Sequence, residues 1–345
     1  MDIISKIKEK IKQLKLDLTG KIVLTEAATG PYAITPIIAA LGGAKVFAFT
    51  KDTKFGTVEE VIGQIEKLRK QTNNNLDIEI ITELRSEIIN EADIITNSGH
   101  LRPLNSLKLC HAKSGVVIPL MYDSWELRST DIDLKFCQMH NILVAGTNES
   151  HPDIDIYGYL GDMCMKLIFD SANCLNNSTF LLISNNDFGP CIASKIAPLI
   201  EKLGIIDCIN RKSKYLLSEN IDWIGTFPFI QIPDKYYHSD AIILATYPFD
   251  QTWVGNKAEI PIQAIQSQFS SPFILRFSGD INTKDLDSAN ISYYPSVNYS
   301  GHMGVLPSEI GYEPVIRLQT AGLKVGQLLN QKELFSPYIK LIDNY

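Results

Sequence analysis

Apolar positions follow two rhythms, one at helical spacing and one in short unbroken runs. Ile3, Ile4, Ile7, Ile11 and Leu14 recur among lysines, which predicts an amphipathic helix within residues 1–20. Residues 21–25 form a short apolar run of the buried-strand type. The polar turn Glu26-Ala-Ala-Thr-Gly-Pro31 follows, then a helix over 32–41 with Pro36 near its first turn. Gly42-Gly43 closes that helix, and 45–50 is the next strand. Strand, turn, helix, strand is the unit of a parallel sheet. The rhythm continues with a helix over 57–71 and strands at 78–82, 92–96, 115–120 and 142–146. A longer helical pattern at 157–173 reads as a connector between domains. After it, a strand at 180–184, a helix at 191–203, Gly204 and a strand at 205–209 repeat the order of the first unit. Further strands are predicted at 241–245, 272–276 and 291–294. A closing helix over 314–330 is apolar along one face and suited to pack on the first domain. The fold class is therefore α/β, with two Rossmann-like lobes of parallel sheet joined by a long connecting helix.

A chain of 345 residues is too long for one ordinary core, and 45% apolar residues exclude global disorder. Lys plus Arg is 32 and Asp plus Glu is 39, a net charge of −7, which argues against a broad nucleic-acid or anionic-membrane surface. No run of about 18 apolar residues predicts a membrane span. Six cysteines without a CxxC pair read as small buried hydrophobes of a reducing compartment, hence a cytoplasmic protein. The N-terminal stripe is expected on the body or on a second copy of the chain, and a homodimer is the expected assembly. Its lysines read as a solvated face, with a membrane-surface helix as the other meaning.

Ligands of open parallel sheets gather at the carboxyl ends of strands, beside helix N-termini. The turn Ser184-Asn-Asn-Asp-Phe-Gly189 sits where a G-x-G-x-x-G fingerprint would sit. Gly189 is its third glycine, Ser184 and Asn186 take the other two places, and Asp187, Phe188 and Pro190 complete the candidate cofactor turn. About 20 residues on, the second strand is expected to end at Asn210-Arg211-Lys212. Arg211 there suits a 2′-phosphate, favouring NADP over NAD. The alternative is a Rossmann-shaped lobe that binds no nucleotide. Glu26 offers a carboxylate to a substrate amine or hydroxyl, or caps a helix; Thr29 and Asp123 join it as substrate-binding candidates. His100 and His302 each follow a glycine in a loop at a strand's end, where imidazole can trade a proton near neutrality, or serve as an ordinary loop histidine. Arg276, expected to end a strand, is a candidate carboxylate clamp. Glu126, with Asp123, is placed to orient a histidine. No metal-ligand spacing is present, and no metal is expected.

Glu91-Ala-Asp-Ile-Ile-Thr96, Val116-Val-Ile-Pro-Leu120, Asp131-Ile-Asp-Leu134 and His140-Asn-Ile-Leu-Val144, taken in order, resemble the D-2-hydroxyacid dehydrogenase superfamily, of the formate and glycerate dehydrogenase type. The resemblance spans about residues 85–310. It implies a substrate-type domain over 21–155, a nucleotide-binding-type domain over 156–313, and a C-terminal helix and tail over 314–345. It further implies that Phe180 to Gly189 is the nucleotide turn, that Arg276 in Phe273-Ile-Leu-Arg-Phe-Ser-Gly-Asp280 clamps a substrate carboxylate, and that His302 transfers the proton. The layout is also similar to S-adenosylhomocysteine hydrolase. The function so implied is an NAD(P)-dependent oxidoreductase acting on a small carboxylate- or amine-bearing substrate in the interdomain cleft. The alternatives are a two-lobed binding or regulatory protein that has lost nicotinamide binding, and a nucleotide-using enzyme of another class.

Overall fold

The computed structural model describes residues 2–72, 75–227, 231–297 and 300–342. It divides into two units, Met1–Ile156 with Gly311–Tyr345, and Tyr157–Ile310. In chain order the first unit runs α1 (Ile3–Leu14), β1 (Ile22–Glu26), α2 (Ile34–Leu41), β2 (Lys45–Phe49), α3 (Val58–Thr72), β3 (Ile78–Ile81), α4 (Ser86–Glu91), β4 (Ile94–Ile95), α5 (Ser106–Leu109), β5 (Val117–Pro119), α6 (Leu134–Met139) and β6 (Leu143–Thr147). The second runs α7 (Leu160–Asp170), β7 (Thr179–Ser184), α8 (Phe188–Ile196), β8 (Lys202–Asp207), β9 (Ile221–Thr226), β10 (Ala241–Ala245), β11 (Thr252–Gly255), β12 (Ile260–Pro261), α9 (Ile262–Gln268), β13 (Phe273–Ser278), β14 (Asp280–Ile281), α10 (Thr283–Ser288) and β15 (Ser292–Tyr294). The chain then re-enters the first unit with α11 (Tyr312–Asn330) and a short strand, Ile339–Lys340.

In the first unit the strand order is Ile339–Lys340, β6, β5, β4, β1, β2, β3, parallel except for the antiparallel Ile339–Lys340 edge. In the second it is β15, β13, β10, β7, β8, β9, all parallel, with β12, β11 and β14 forming a small separate sheet. Read from the β3 and β9 edges, both follow the doubly wound order 3-2-1-4-5-6. The order reverses between β1 and β4 in the first unit, and between β7 and β10 in the second. Those are the places where such sheets open a crevice.

The strands are apolar because parallel sheets are covered on both faces. In the first unit one face carries Ile34, Ile37 and Ile38 of α2 with Ile316 and Leu323 of α11. The other packs on Ile88, Leu101, Leu104 and Leu109. The second unit buries Leu181, Ile183, Ile242, Leu244 and Ile274 with Trp253 and Tyr236.

Several predicted boundaries move. The pattern at 157–173 becomes a 3-10 turn, Tyr157–Tyr159, and the shorter helix α7. The helix expected at 191–203 begins earlier, at Phe188, and ends at Ile196, because Pro198 cannot continue it; Ala197–Leu199 is a 3-10 turn. Gly204 is not the turn after that helix. It lies inside β8, where a Cβ would press on Leu181, Tyr236 and Ile224. β8 consequently ends at Asp207, and Asn210, Arg211 and Lys212 fall on a following 3-10 helix, Ile209–Lys214. Arg276 does not end its strand either: β13 runs on to Ser278, which pairs with Ala245. The α1 stripe is covered by the chain itself, with Ile4, Ile7 and Leu14 buried and α11 its main neighbour. It therefore leaves no unpartnered face to argue for a dimer. Of the six cysteines only Cys137 and Cys164 are buried, while Cys110 and Cys174 are exposed. Among the described residues no helix is long and apolar enough to cross a membrane.

Candidate functional site

The reversal point of the second unit lies after β7. Ser184 is buried there, and the turn behind it is held by side chains. The Asn185 amide donates to the Tyr247 carbonyl (2.6 Å) and its Oδ1 accepts from the Tyr247 N–H (2.8 Å). The Asn186 amide donates to the Ala245 carbonyl (3.2 Å). Three hydrogen bonds therefore lace the ends of β7 and β10 together across the crevice. Asn186 Oδ1 also accepts from the Phe188 N–H (2.9 Å), which caps the start of α8. Pro190 has no N–H to offer, so the first turn of α8 presents few open donors.

The carboxylate at this turn is paired with two cations. Asp187 Oδ1 accepts from Lys214 Nζ (2.7 Å) and Arg211 Nε (3.2 Å). Burial alone would push the Asp187 carboxyl up, but those two cations outweigh it and hold it below the usual carboxylate range. Arg211 thus faces a carboxylate of its own chain. The acid at the end of the second strand is Asp207, with none of its surface exposed. Its Oδ2 accepts from the Tyr215 hydroxyl (2.5 Å) and its Oδ1 from the Cys208 N–H (2.6 Å). Burial raises the Asp207 pKa against both bonds, and it raises that of Tyr215 as well. The same hydroxyl lies over Gly189, where a Cβ would collide with Tyr215 Oη and Ser184 Oγ. Asp207 and Tyr215 are what the sequence reading missed; the misplaced end of β8 hid both.

A dinucleotide needs open helix-start donors, a bare approach for its pyrophosphate, and a strand-end acid free to accept a ribose hydroxyl. Here the Phe188 N–H is capped, a carboxylate stands in the turn, and the acid is taken. The residues at 184–190, with Arg211, do not fit the group in this arrangement.

Arg276 is 1% exposed. Its Nη1 donates to the His302 carbonyl (2.7 Å), and Asp280 lies 3.8 Å away. Asp280 in turn accepts from the Ser300 hydroxyl (2.5 Å) and the Gly301 N–H (3.2 Å). Gly304 lies so close to the Arg276 carbonyl that no Cβ could be accommodated. Arg276 and Asp280 together hold the 300–304 loop that presents the exposed His302. Through Nη1 the guanidinium donates to its own chain, while its Nε is buried without a hydrogen-bond partner.

In the first unit, Glu26 at the end of β1 accepts from the His100 N–H (3.1 Å), which brings two candidates together at the reversal point. Beneath them Thr25, Thr96 and Ser98 share hydroxyl hydrogen bonds. Asn97 is fully buried; its amide donates to Tyr122 Oη (2.5 Å), whose hydroxyl donates to Asp131 (2.7 Å). Asn97 Oδ1 and His100 Nδ1 are buried without a hydrogen-bond partner. Thr29 instead donates to the Phe55 carbonyl (3.2 Å). Asp123 and Glu126 meet no histidine; they meet Glu149, which follows β6 and whose Oε1 accepts from the Asp123 N–H (3.2 Å). Burial first, and the neighbouring Asp123 second, push the Glu126 carboxyl up to about 7; burial, then Glu126 and then Asp123, push Glu149 well up too. Among the described residues no group of three or more His, Cys, Asp or Glu is placed to hold a metal ion.

No protein-family model and no curated protein matches the chain. Solved structures do. A dipicolinate synthase chain from Bacillus halodurans is 13% identical, with a TM-score of 0.54 over 93% of this chain and 100% of that one. The NAD-dependent formate dehydrogenase from Staphylococcus aureus in complex with NAD is 14% identical, with a TM-score of 0.50 over 93% of this chain and 99% of that one. The transhydrogenase from Sinorhizobium meliloti is 10% identical, with a TM-score of 0.50 over 93% and 97%. The fold is thus that of the D-2-hydroxyacid dehydrogenase-like proteins.

Proposed function

We propose that this chain is a two-lobed binding protein of the dehydrogenase fold, in which the nucleotide-type lobe does without a dinucleotide. In this reading the first lobe takes a small polar ligand carrying amine or hydroxyl groups. One observation carries the reading: the turn after β7 is filled by its own residues, with Asp187 between Arg211 and Lys214 and the Tyr215 hydroxyl on Asp207. The ligand class follows from the acceptors at the end of β1 and β4, the Glu26 carboxylate and the unpartnered Asn97 Oδ1. A ligand N–H or O–H relieves the cost of a buried acceptor left without a donor.

A second reading has its own support. The fold is shared with NAD-dependent enzymes, and Asp207 stands at the strand end from which such folds hold a ribose. It makes the chain an NAD(P)-dependent oxidoreductase on a small carboxylate- or amine-bearing substrate, with His302 on its braced loop as the proton-transferring group.

Calorimetric and thermal-shift titrations with NAD, NADH, NADP and NADPH decide between them. The binding-protein reading expects no heat and no shift. A ligand present at about 100 times its Kd would add about 2.7 kcal/mol to stability, an effect readily seen. Such a response to any of the four overturns the binding-protein reading in favour of the oxidoreductase.

A further inference from the structure

We infer that the second lobe supplies its own stand-ins for the ligand its fold is shaped to hold: the Asp187 carboxylate in place of a phosphate, and the Tyr215 hydroxyl in place of a ribose hydroxyl. The inference rests on the binding-protein reading above and adds what fills the site and how it reopens.

Arg211 Nε and Lys214 Nζ converge on a single oxygen, Asp187 Oδ1, at 3.2 and 2.7 Å. Two cations closing on one anionic oxygen form a clasp that suits a phosphate oxygen equally well. Asp207 stands where a strand-end acid accepts a sugar hydroxyl, and it does accept a hydroxyl, that of Tyr215. Gly189 keeps the bare surface that lets a ligand approach the helix start, and the same Tyr215 oxygen rests on it. At the head of α8 the Phe188 N–H meets an oxygen, Asn186 Oδ1, as it would meet a phosphate.

Three positions of a nucleotide site, the cationic clasp, the strand-end acid and the helix start, are therefore taken by oxygen-bearing groups of this chain. Here the complementary half, Arg211, Lys214, Asp207 and Gly189, persists intact around internal occupants. Removing the occupants leaves a site for an anion joined to a sugar, of the adenosine diphosphate-ribose class.

The test is calorimetric titration of the full chain with inorganic phosphate and with ADP-ribose. The wild type, Asp187→Asn, and the double variant Asp187→Asn/Tyr215→Ala are compared. Asp187 is half exposed, so its substitution leaves the fold in place and decides the matter even where loss of the buried Tyr215 ring does not; circular dichroism melting monitors both variants. Asp187→Asn is expected to tighten phosphate binding by about tenfold or more, the value of one charge-assisted hydrogen bond released to the ligand. The double variant is expected to extend the gain to ADP-ribose. Folded variants that bind no better than a silent wild type overturn the stand-ins and leave the dinucleotide-free lobe standing. A wild type that itself binds ADP-ribose or NAD at micromolar concentration overturns the binding-protein reading, and the stand-ins with it.

Discussion

Glu126 and Glu149 lie together beyond the ends of β5 and β6, with Asp123 beside them and the positive charges of Arg128 and Lys340 as partial compensation. Both glutamates hold a proton more tightly in the folded chain than in the unfolded one. The folded state therefore binds more protons, and stability is lost as pH rises from about 4.5 through about 7, the value to which Glu126 is pushed. Glu126→Gln removes that titration while keeping a hydrogen-bonding side chain. Chemical denaturation across this range is expected to show a flatter pH dependence for the variant than for the wild type; identical slopes would mean that the pair does not share a proton. Asp123 and Glu126 were legible in the sequence as a local cluster. Glu149 was not, because only the parallel pairing of β5 with β6 brings residue 149 beside them. Arg276 was legible as notable, since an arginine in an apolar strand needs a partner. That its Nη1 meets the His302 carbonyl depends on a loop that returns from further along the chain.

Helices in this molecule differ in how much room they leave. Gly322 of α11 faces Met121, whose Cα would lie 3.0 Å from an added Cβ, and backbone cannot swing aside as a side chain does. Gly63 of α3 has nothing within 4 Å. The same change is therefore expected to have opposite signs. Gly63→Ala gains about 0.5–1 kcal/mol from helix propensity. Gly322→Ala loses about 1–3 kcal/mol through overpacking, less whatever propensity returns. Urea unfolding of the two variants checks this, and a stabilised Gly322→Ala would show that α11 is not held tightly against the segment after β5. Elements of this kind were the legible part of the sequence, because runs such as 21–25 and 45–50 allow one reading. Their ends were less so. Pro198 shortens α8 and starts β8 early, and that shift decided which side chain stands at the strand's end: Asp207, not Arg211.

At the scale of the whole molecule the two units differ in how they are threaded. The second is continuous, Tyr157–Ile310, whereas the first is split and needs Gly311–Tyr345. α11 buries most of its length there, against α1, α2, β5 and β6. A chain ending at residue 310 is expected to keep slow hydrogen exchange in β7, β8 and β10 and to lose it in β1, β2 and β4. Slow exchange in both sheets would mean that the first core closes without α11. Two lobes of like topology were legible from the repeated strand, turn and helix order.

The split threading also sets an order in time. Chains are made from the N-terminus at about 5–20 residues per second, and domains ordinarily form in that order. Here residues 157–310 occupy the ribosome for on the order of ten seconds while the earlier lobe still lacks its last helix. During that interval Ile4, Ile7 and Leu14 of α1 have no α11 to cover them. The later-made lobe can close before the first has its last helix.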